Sequence, residues 1–236
     1  MKKTILLVLS VLLVTFLTVG SVSALTIQQG NETPLNDIWD DVFGDSSFAS
    51  AQNLWDTYGY TGNDSYWKET NGGINVEVTY AGNTQAIGTQ VNGYPISQQS
   101  IWYDGDGTYN DSYIIDVTPY GAPFTWVELY NKQADGTAGG MWYSANSLNS
   151  DGKDHMASFK VPQSILDGST HYGTYNEGEV WFLAFEDLSL GDMDYNDLAF
   201  VVTDVTPVPE PATMLLLGTG LLGVAAFGRK KLMKRS

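Results

Sequence analysis

The chain has 236 residues, no cysteine, two histidines and a formal net charge of −16. So large an excess of acid disfavours nucleic acids and anionic membrane surfaces as partners and favours cations. The lack of cysteine excludes disulfides and the scarcity of histidine disfavours zinc sites and catalytic triads, so stability must come from a packed core.

The first 24 residues have the three parts of a secretory signal peptide. Lys2 and Lys3 are followed by an apolar run from Ile5 to about Val19, and small residues end the segment at Ala24. The pattern predicts a signal peptide over 1–24 that is cleaved after Ala24. An uncleaved membrane anchor is the alternative.

The segment that follows is far more acidic than the whole chain. Residues 25–208 contain four lysines and no arginine against 26 carboxylates, a net charge of −22. The two ends of the chain carry the remaining bases and conceal this imbalance. We expect this segment to attract cations.

Two short helices are predicted at the start of this segment. Thr33-Pro34 precedes LNDIWDDVF, in which Leu35, Ile38 and Val42 form one apolar stripe of a capped helix. A second, weaker helical pattern runs through SSFASAQNLWDTY.

From Ile74 onward the hydrophobic pattern has a period of two residues. The predicted strands are INVEVTY, SYIIDVT, FTWVELYN, HMASFKVP, EVWFLAFED and LAFVVTD, separated by turns rich in Gly, Asn and Asp. Many short strands and few helices predict a mainly β fold, an antiparallel β-sandwich or jelly-roll. We expect one domain over 25–206.

All seven tryptophans and all 14 tyrosines lie in this segment. Aromatic side chains pack well in β-sheet cores, and exposed ones can stack on sugars. Whether Trp102, Trp126 and Trp142 fill the core or line an exposed face separates these two interpretations.

An acidic motif, FEDLSLGDMDYNDLAFVV, stands between the last two predicted strands. Asp192, Asp194 and Asn196 follow the opening spacing of an EF-hand loop, but Asp197 replaces the glycine at the sixth position and Thr203 the glutamate at the twelfth. The motif is therefore not an EF-hand. A solvated acidic turn is one interpretation, and a calcium site is the other.

Calcium binds six to eight oxygen atoms from carboxylates, amides and carbonyls. A turn over Ser189–Gly191 would bring the first half of the motif back to the second. The candidate ligands are Glu186, Asp187, Asp192, Asp194, Asn196 and Asp197.

DGDGTYND is a weaker calcium candidate, with Asp104, Asp106, Asn110 and Asp111 as its oxygen donors. Asp-Gly pairs mark hairpin turns in general, so a plain hairpin turn is the stronger interpretation.

Glycosidases need only two suitably spaced carboxylates, and Glu128 with Glu186 is one available pair. In a chain with so many acids the pair carries little weight. The alternation in FTWVELY predicts instead that Glu128 faces solvent, so no catalytic residue is assigned and we expect no enzymatic activity.

The C-terminal segment is more specific. Pro209-Glu210-Pro211 precedes an apolar stretch from Met214 to Phe227 and a terminal basic cluster. This order resembles the PEP-CTERM sorting signal of Gram-negative bacteria, here over 207–236 with a transmembrane sorting helix. The resemblance implies processing by exosortase after transient anchoring in the inner membrane. An ordinary membrane anchor is the alternative.

The acidic motif also carries a resemblance. Phe185-Glu186-Asp187-Leu188, then Asp192-Met193-Asp194-Tyr195-Asn196-Asp197 and an apolar strand, resemble an uncharacterised bacterial family, domain of unknown function 4114. Its members occur in calcium-dependent surface adhesins and in PEP-CTERM proteins. The resemblance implies calcium as the bound ion and no enzymatic activity.

Together these features predict a calcium-binding protein of the cell surface or of the exopolysaccharide matrix of a biofilm, with a structural or adhesive role. The expected partners are exosortase and extracellular polysaccharide. A lectin or a carbohydrate-active enzyme of the matrix is the alternative function.

Overall fold

The structure is a computed structural model. It describes residues 25–28, 30, 33–70, 74–81, 85–91, 95–100, 107–115, 122–130, 139–169, 179–187 and 193–208. The predicted signal peptide with Ala24, the sorting motif Pro209-Glu210-Pro211 and its apolar helix lie outside the described residues, as do Trp102, Asp104, Asp106 and Asp192.

Three α-helices and eleven strands are described. The helices are α1 (Leu35–Phe43), α2 (Ala51–Tyr58) and α3 (Gln163–Gly168). The strands are β1 (Trp67–Glu69), β2 (Ile74–Ala81), β3 (Ala86–Val91), β4 (Ser97–Ser100), β5 (Gly107–Ile115), β6 (Phe124–Tyr130), β7 (Gly140–Tyr143), β8 (Met156–Lys160), β9 (Trp181–Phe185), β10 (Leu198–Thr203) and β11 (Val205–Pro207). Within the described residues no helix is long and apolar enough to cross a membrane.

The strands form two sheets, and every strand pair in the described residues is antiparallel. The five-stranded sheet has the order β5-β2-β10-β9-β8. The six-stranded sheet has the order β11-β1-β6-β3-β4, with β7 also paired to β6. Asp204, which has a φ of 63°, separates β10 from β11, where the chain passes from one sheet to the other. The architecture is a β-sandwich.

The main core lies between the two sheets. Trp67, Phe124 and Trp126 of the six-stranded sheet share it with Trp181 and Phe200 of the five-stranded sheet, and all five are fully buried. Their rings meet mostly edge to face, an arrangement that aromatic pairs favour. Aromatic residues therefore fill the centre of the sandwich.

The helices cover the opposite face of the five-stranded sheet and form an outer layer. Trp39 of α1 packs there on Phe159 of β8 and Phe182 of β9, because alternate residues of a strand point to opposite faces. Strands β9 and β10 are thus buried on both faces, which accounts for the nearly continuous apolar runs in their sequences.

The predicted fold class is confirmed, with a short helical segment at the start and antiparallel strands after it. Helix α1 matches its predicted bounds but begins after Pro34 without a side-chain cap, and α2 begins at Ala51, where Ser50 accepts the Asn53 amide. Short strands β1, β3, β4, β7 and β11 were not predicted. Strand β5 begins at Gly107, several residues before the prediction.

DGDGTYND, predicted as a hairpin turn, lies only partly within the described residues, and from Gly107 onward it belongs to β5. Asn110 and Asp111 lie within β5, where Asp111 pairs with Val78. The register of this pairing shifts between Val78 and Tyr80, opposite Asn110. The first two donors of the weaker calcium candidate lie outside the described residues, so this site stays a prediction.

Candidate functional site

The acidic motif connects two neighbouring strands of the five-stranded sheet. Strand β9 ends at Phe185, which pairs with Leu198 at the start of β10. We call residues 186–197 the acidic loop, of which 186–187 and 193–197 are described. The described carboxylates and amide of the loop are all buried: Glu186, Asp187, Asp194, Asn196 and Asp197. A solvated acidic turn is therefore excluded.

Glu186 holds the second half of the loop against the first. One carboxylate oxygen, Oε2, accepts the backbone amide of Asp194 at 3.2 Å and that of Tyr195 at 3.3 Å. Met193 and Tyr195 both have a φ of 54°, an uncommon conformation for residues other than glycine. This backbone directs two successive amides at one anion, as in backbone nests that bind anions.

Asp187 and Asp197 form a second connection across the base of the loop. The Asp187 amide donates to Asp197 Oδ2 at 2.8 Å. With period-two alternation from Phe185, Asp187 faces the six-stranded sheet and Glu186 the outer layer. The contacts agree, because Gln85, the residue before β3 of the six-stranded sheet, donates from Nε2 to Asp187 Oδ2 at 3.2 Å.

Two aromatic rings support the loop, one from β7 and one from the residue before β8. The Trp142 indole donates to the Asp187 carbonyl. Its ring stacks on His155, with centroids 3.7 Å apart and planes at 5°. His155 Nδ1 donates to the Glu186 carbonyl at 2.9 Å, and Nε2 lies 3.1 Å from Asp151 Oδ2. The backbone carbonyls of both Glu186 and Asp187 are therefore held in place.

The N-terminal segment crosses the other side of the loop. The Gln28 amide donates to the Met193 carbonyl at 2.9 Å. Asn196 donates from Nδ2 to the Thr33 carbonyl at 2.8 Å and to Asp194 Oδ2 at 3.1 Å. Residues just after the predicted cleavage position thus contribute to holding the loop.

Glu128 joins this acidic group from the six-stranded sheet, and its predicted solvent-facing position is wrong. It is completely buried in β6. The alternation in FTWVELY separates two buried faces. Phe124 and Trp126 belong to the core between the sheets, whereas Val127 and Leu129 belong to a separate apolar cluster on the other face. Burial raises the pKa of the Glu128 carboxyl well above its usual range, and the charges of Asp187, Asp197 and Glu186 raise it further.

The site therefore gathers five buried carboxylates, and lysines do not neutralise them within the described residues. The three described lysines, Lys68, Lys153 and Lys160, are exposed. The two ion pairs within the described residues join Asp151 to His155 and Glu179 to Lys160. Such a group needs protons or a cation to be stable in a folded core.

Several oxygen atoms at the site also lack hydrogen bonds from the described residues. They are the amide oxygens of Asn196 and Gln85 and both carboxylate oxygens of Glu128. Buried polar atoms without partners are rare in native proteins and often indicate a bound ion. The chemistry of these donors, neutral amides and carboxylates, fits calcium.

The described donors do not form a ready-made ligand set. Among residues 25–208 as described, no three Asp, Glu or His side chains are arranged as a metal site. Asp192, the first of the alternating donors, is not among them. The structure thus brings five of the six predicted ligands into one buried region without fixing their coordination.

A second pair of acids, the buried Asp64 and the half-buried Asp154, lies at the far side of Tyr195. Asp64, in the loop before β1, accepts a hydrogen bond from the Ser158 hydroxyl. Burial, followed by the charge of Asp154, raises the pKa of Asp64 to about 8, and burial raises that of Asp154 to about 6. The pattern of the sequence gave no signal for this pair, because Asp64 and Asp154 stand in separate polar segments.

Two of the three tryptophans considered as sugar platforms lie in the core, and the third, Trp102, lies outside the described residues. Trp126 and Trp142 are buried between the sheets. A surface groove of about 460 Å³ is lined by Tyr58, Lys160, Leu166 and Glu179, among others, and includes neither Glu128 nor Glu186. Both carboxylates of that pair are buried.

Comparison with protein families confirms both resemblances. Residues 207–231 match the PEP-CTERM protein-sorting motif, and residues 122–204 match the Domain of unknown function (DUF4114). The second match runs from the residues before β6 to the end of β10 and includes Glu128 and the whole acidic loop. No curated protein matches the chain. The protein is therefore an exported protein that exosortase sorts to the cell envelope.

Proposed function

We propose that this protein is a non-enzymatic component of the cell surface or extracellular matrix, whose sandwich is stabilised by calcium bound at the acidic loop. Its role there is structural or adhesive. The proposal starts from the sorting motif, which delivers the protein to the envelope, and from the chemistry of the buried loop.

One observation carries the calcium assignment: Asn196, in the middle of the loop, is buried and its amide oxygen accepts no hydrogen bond from the described residues. Glu186, Asp187, Asp194 and Asp197 are buried beside it along the loop. Hard oxygen donors of this kind suit calcium, which tolerates irregular loops better than magnesium does.

The residues that would hold calcium are the loop carboxylates and Asn196, with Asp192 as a further donor. Calcium would supply positive charge to a buried acidic group. The chain's own contacts, from Glu186 to two loop amides and from the Asp187 amide to Asp197, already position β9 and β10. We therefore propose that calcium fixes the connection of these two strands.

A non-enzymatic role is supported by the surroundings of the carboxylates. Glu128 and Glu186 are buried and lie outside the described groove, whereas a glycosidase must admit a sugar between its two acids. Trp126 and Trp142 fill the core, so these two rings supply no sugar platform.

Thermal unfolding with calcium and with a chelator tests the proposal. At a calcium concentration about 100 times Kd, binding to the folded state alone adds about 2.7 kcal/mol. For a domain of this size we expect Tm to rise by roughly 5–10 °C. Magnesium at equal ionic strength is the control. An unchanged Tm in calcium would contradict the proposal.

The adhesive or structural role needs a separate experiment on the producing cells. Cells that lack the protein should aggregate and attach less than cells that carry it, and chelation should reduce aggregation only in the latter. Binding to the cells' own polysaccharide without turnover would point to a lectin instead, and turnover would point to an enzyme.

A further inference from the structure

Glu128 projects between the two sheets. In β6 it stands two residues after Trp126 and four after Phe124, both of which belong to the inter-sheet core. Side chains two residues apart on a strand share a face. Glu128 is therefore a carboxylate of the six-stranded sheet that faces the five-stranded sheet, and it is completely buried there.

Asp187 is contacted from both sides of Glu128. Trp142 of β7 is directly opposite Glu128 and donates to the Asp187 carbonyl. On the other side Glu128 pairs with Ile87 of β3, and Gln85, two residues before Ile87, donates to Asp187 Oδ2. These two contacts place the acidic loop over the end of β6 that carries Glu128.

The surroundings of Glu128 are those of a ligand and not of an ordinary core residue. Neither of its carboxylate oxygens accepts a hydrogen bond from the described residues. The charges that act on it most strongly are those of Asp187, Asp197 and Glu186, all from the acidic loop. Burying a charged carboxylate beside other carboxylates, without a hydrogen-bond donor from the described residues, costs folding free energy unless a cation binds between them.

We infer that Glu128 is a calcium ligand from the six-stranded sheet. Calcium bound between the two sheets would draw its carboxylate together with those of Asp187 and Asp197, which in the described residues are not arranged as a metal site. The Gln85 amide oxygen, which is buried and also accepts no hydrogen bond from the described residues, is a further donor from the same sheet. The inference rests on the proposed calcium binding and extends it. Calcium then joins the two halves of the sandwich and does more than order one loop.

Calcium titration of the purified full-length chain tests this inference, with calorimetry and terbium luminescence as readouts. Glu128→Gln keeps the shape of the side chain and removes its charge. Glu128→Asp keeps the charge and withdraws the carboxylate by one methylene. Asp41→Asn removes one exposed charge from α1 and is the matched control. We expect both Glu128 variants to weaken calcium binding at least about tenfold and Asp41→Asn to leave it unchanged.

The outcomes separate the inference from the proposed function. If the unaltered chain binds no calcium, both fail. If it binds calcium, and Asp187→Asn weakens binding while both Glu128 variants bind as tightly as the control, the proposed function stands and the inter-sheet ligand is wrong. A neutral, protonated Glu128 with only a packing role predicts this second result.

Hydrogen exchange supplies an independent readout that does not depend on how well the variants fold. An ion between the sheets should slow exchange both in the acidic loop and in β6 and β7 when calcium is added to the unaltered chain. Protection confined to the loop and to strands β9 and β10 would overturn the inference.

Discussion

The sandwich buries acids in two regions, and the two differ in how the charge is accommodated. Asp64 and Asp154 form a pair in which a hydroxyl, Ser158, donates to one carboxylate. The acidic loop with Glu128 gathers five carboxylates, and the buried amide oxygens of Asn196 and Gln85 accompany them. The Asp64 region therefore contains a hydrogen-bond donor for its carboxylate. The region of the acidic loop and Glu128 instead contains more hydrogen-bond acceptors than donors.

This difference separates a site for a proton from a site for a metal ion. A pair of acids with raised pKa values can be stabilised by protonation, which needs no further ligand. Protonating one acid among five, beside amide oxygens that cannot be protonated, leaves acceptors unsatisfied. The feature that indicates a cation is thus the number of buried oxygen atoms without a hydrogen-bond donor, and not the number of acids alone.

Replacement of Asp64 should have the largest effect, and it should depend on pH. The pKa of Asp64 is about 8 in the folded chain and about 3.8 when unfolded, so the folded state holds the proton more tightly. Its stabilising contribution is complete below about pH 4 and is lost as the pH rises towards 8. Asp64→Asn should therefore be neutral at pH 4 and stabilise by several kcal/mol at pH 8.

Urea unfolding at both pH values measures this difference, with Asp41→Asn as the exposed control. Calcium should leave the effect of Asp64→Asn unchanged if the two regions are separate. Equal stabilisation at pH 4 and pH 8 would contradict the assignment of Asp64 as a proton site.

Asp197→Asn should give an effect of intermediate size whose sign depends on calcium. The amide side chain can still accept the Asp187 backbone hydrogen bond, but it removes one of the charges that act on Glu128. In chelator we expect the variant to be more stable by about 1 kcal/mol, because like charges are fewer. In saturating calcium we expect it to be less stable by a similar amount.

Thermal unfolding of Asp197→Asn in the two conditions checks this reversal. The same change in Tm with calcium and with chelator would show that Asp197 is not a calcium ligand. Asp64→Asn provides the comparison, since its effect should have one sign in both conditions.

Tyr195→Phe should have the smallest effect. The Tyr195 hydroxyl donates to the Asp154 carbonyl at 2.9 Å, while its backbone amide donates to Glu186, so this residue joins the two acidic regions. Loss of the hydroxyl should cost about 1 kcal/mol of unfolding free energy. Calcium affinity, measured by calorimetry, should not change; a tenfold loss would show that the two regions are coupled.

Local patterns in the sequence were sufficient for much of the fold. The apolar stripe of LNDIWDDVF matched α1, and alternation located β2, β6 and β8 to β10. Strands β1 and β11 were not predicted, because three residues are too few to show an alternating pattern. Each of them is also paired with a strand far along the chain, which no local pattern reveals. The predicted single domain over 25–206 stays a prediction.

Glu128 shows where the same reasoning reaches its limit. Alternation tells which residues share a face but not whether the other face meets water or a second apolar layer. In β6 both faces are buried, so the polar position in the pattern became the most deeply buried acid of the site. The sequence did offer one signal for this position: Glu128 shares its strand face with the apolar residues Phe124 and Trp126, so it could have been predicted to face the core.

By itself the sequence determined the C-terminal sorting motif, the sandwich class and the run of oxygen donors from Glu186 to Asp197, because each depends on neighbours along the chain. Only the tertiary structure decided that these donors are buried and that Glu128 and Gln85 join them. Gln85 and Asp187 are 102 residues apart. Contacts across two sheets follow from how the sheets pack, and no local pattern encodes that packing.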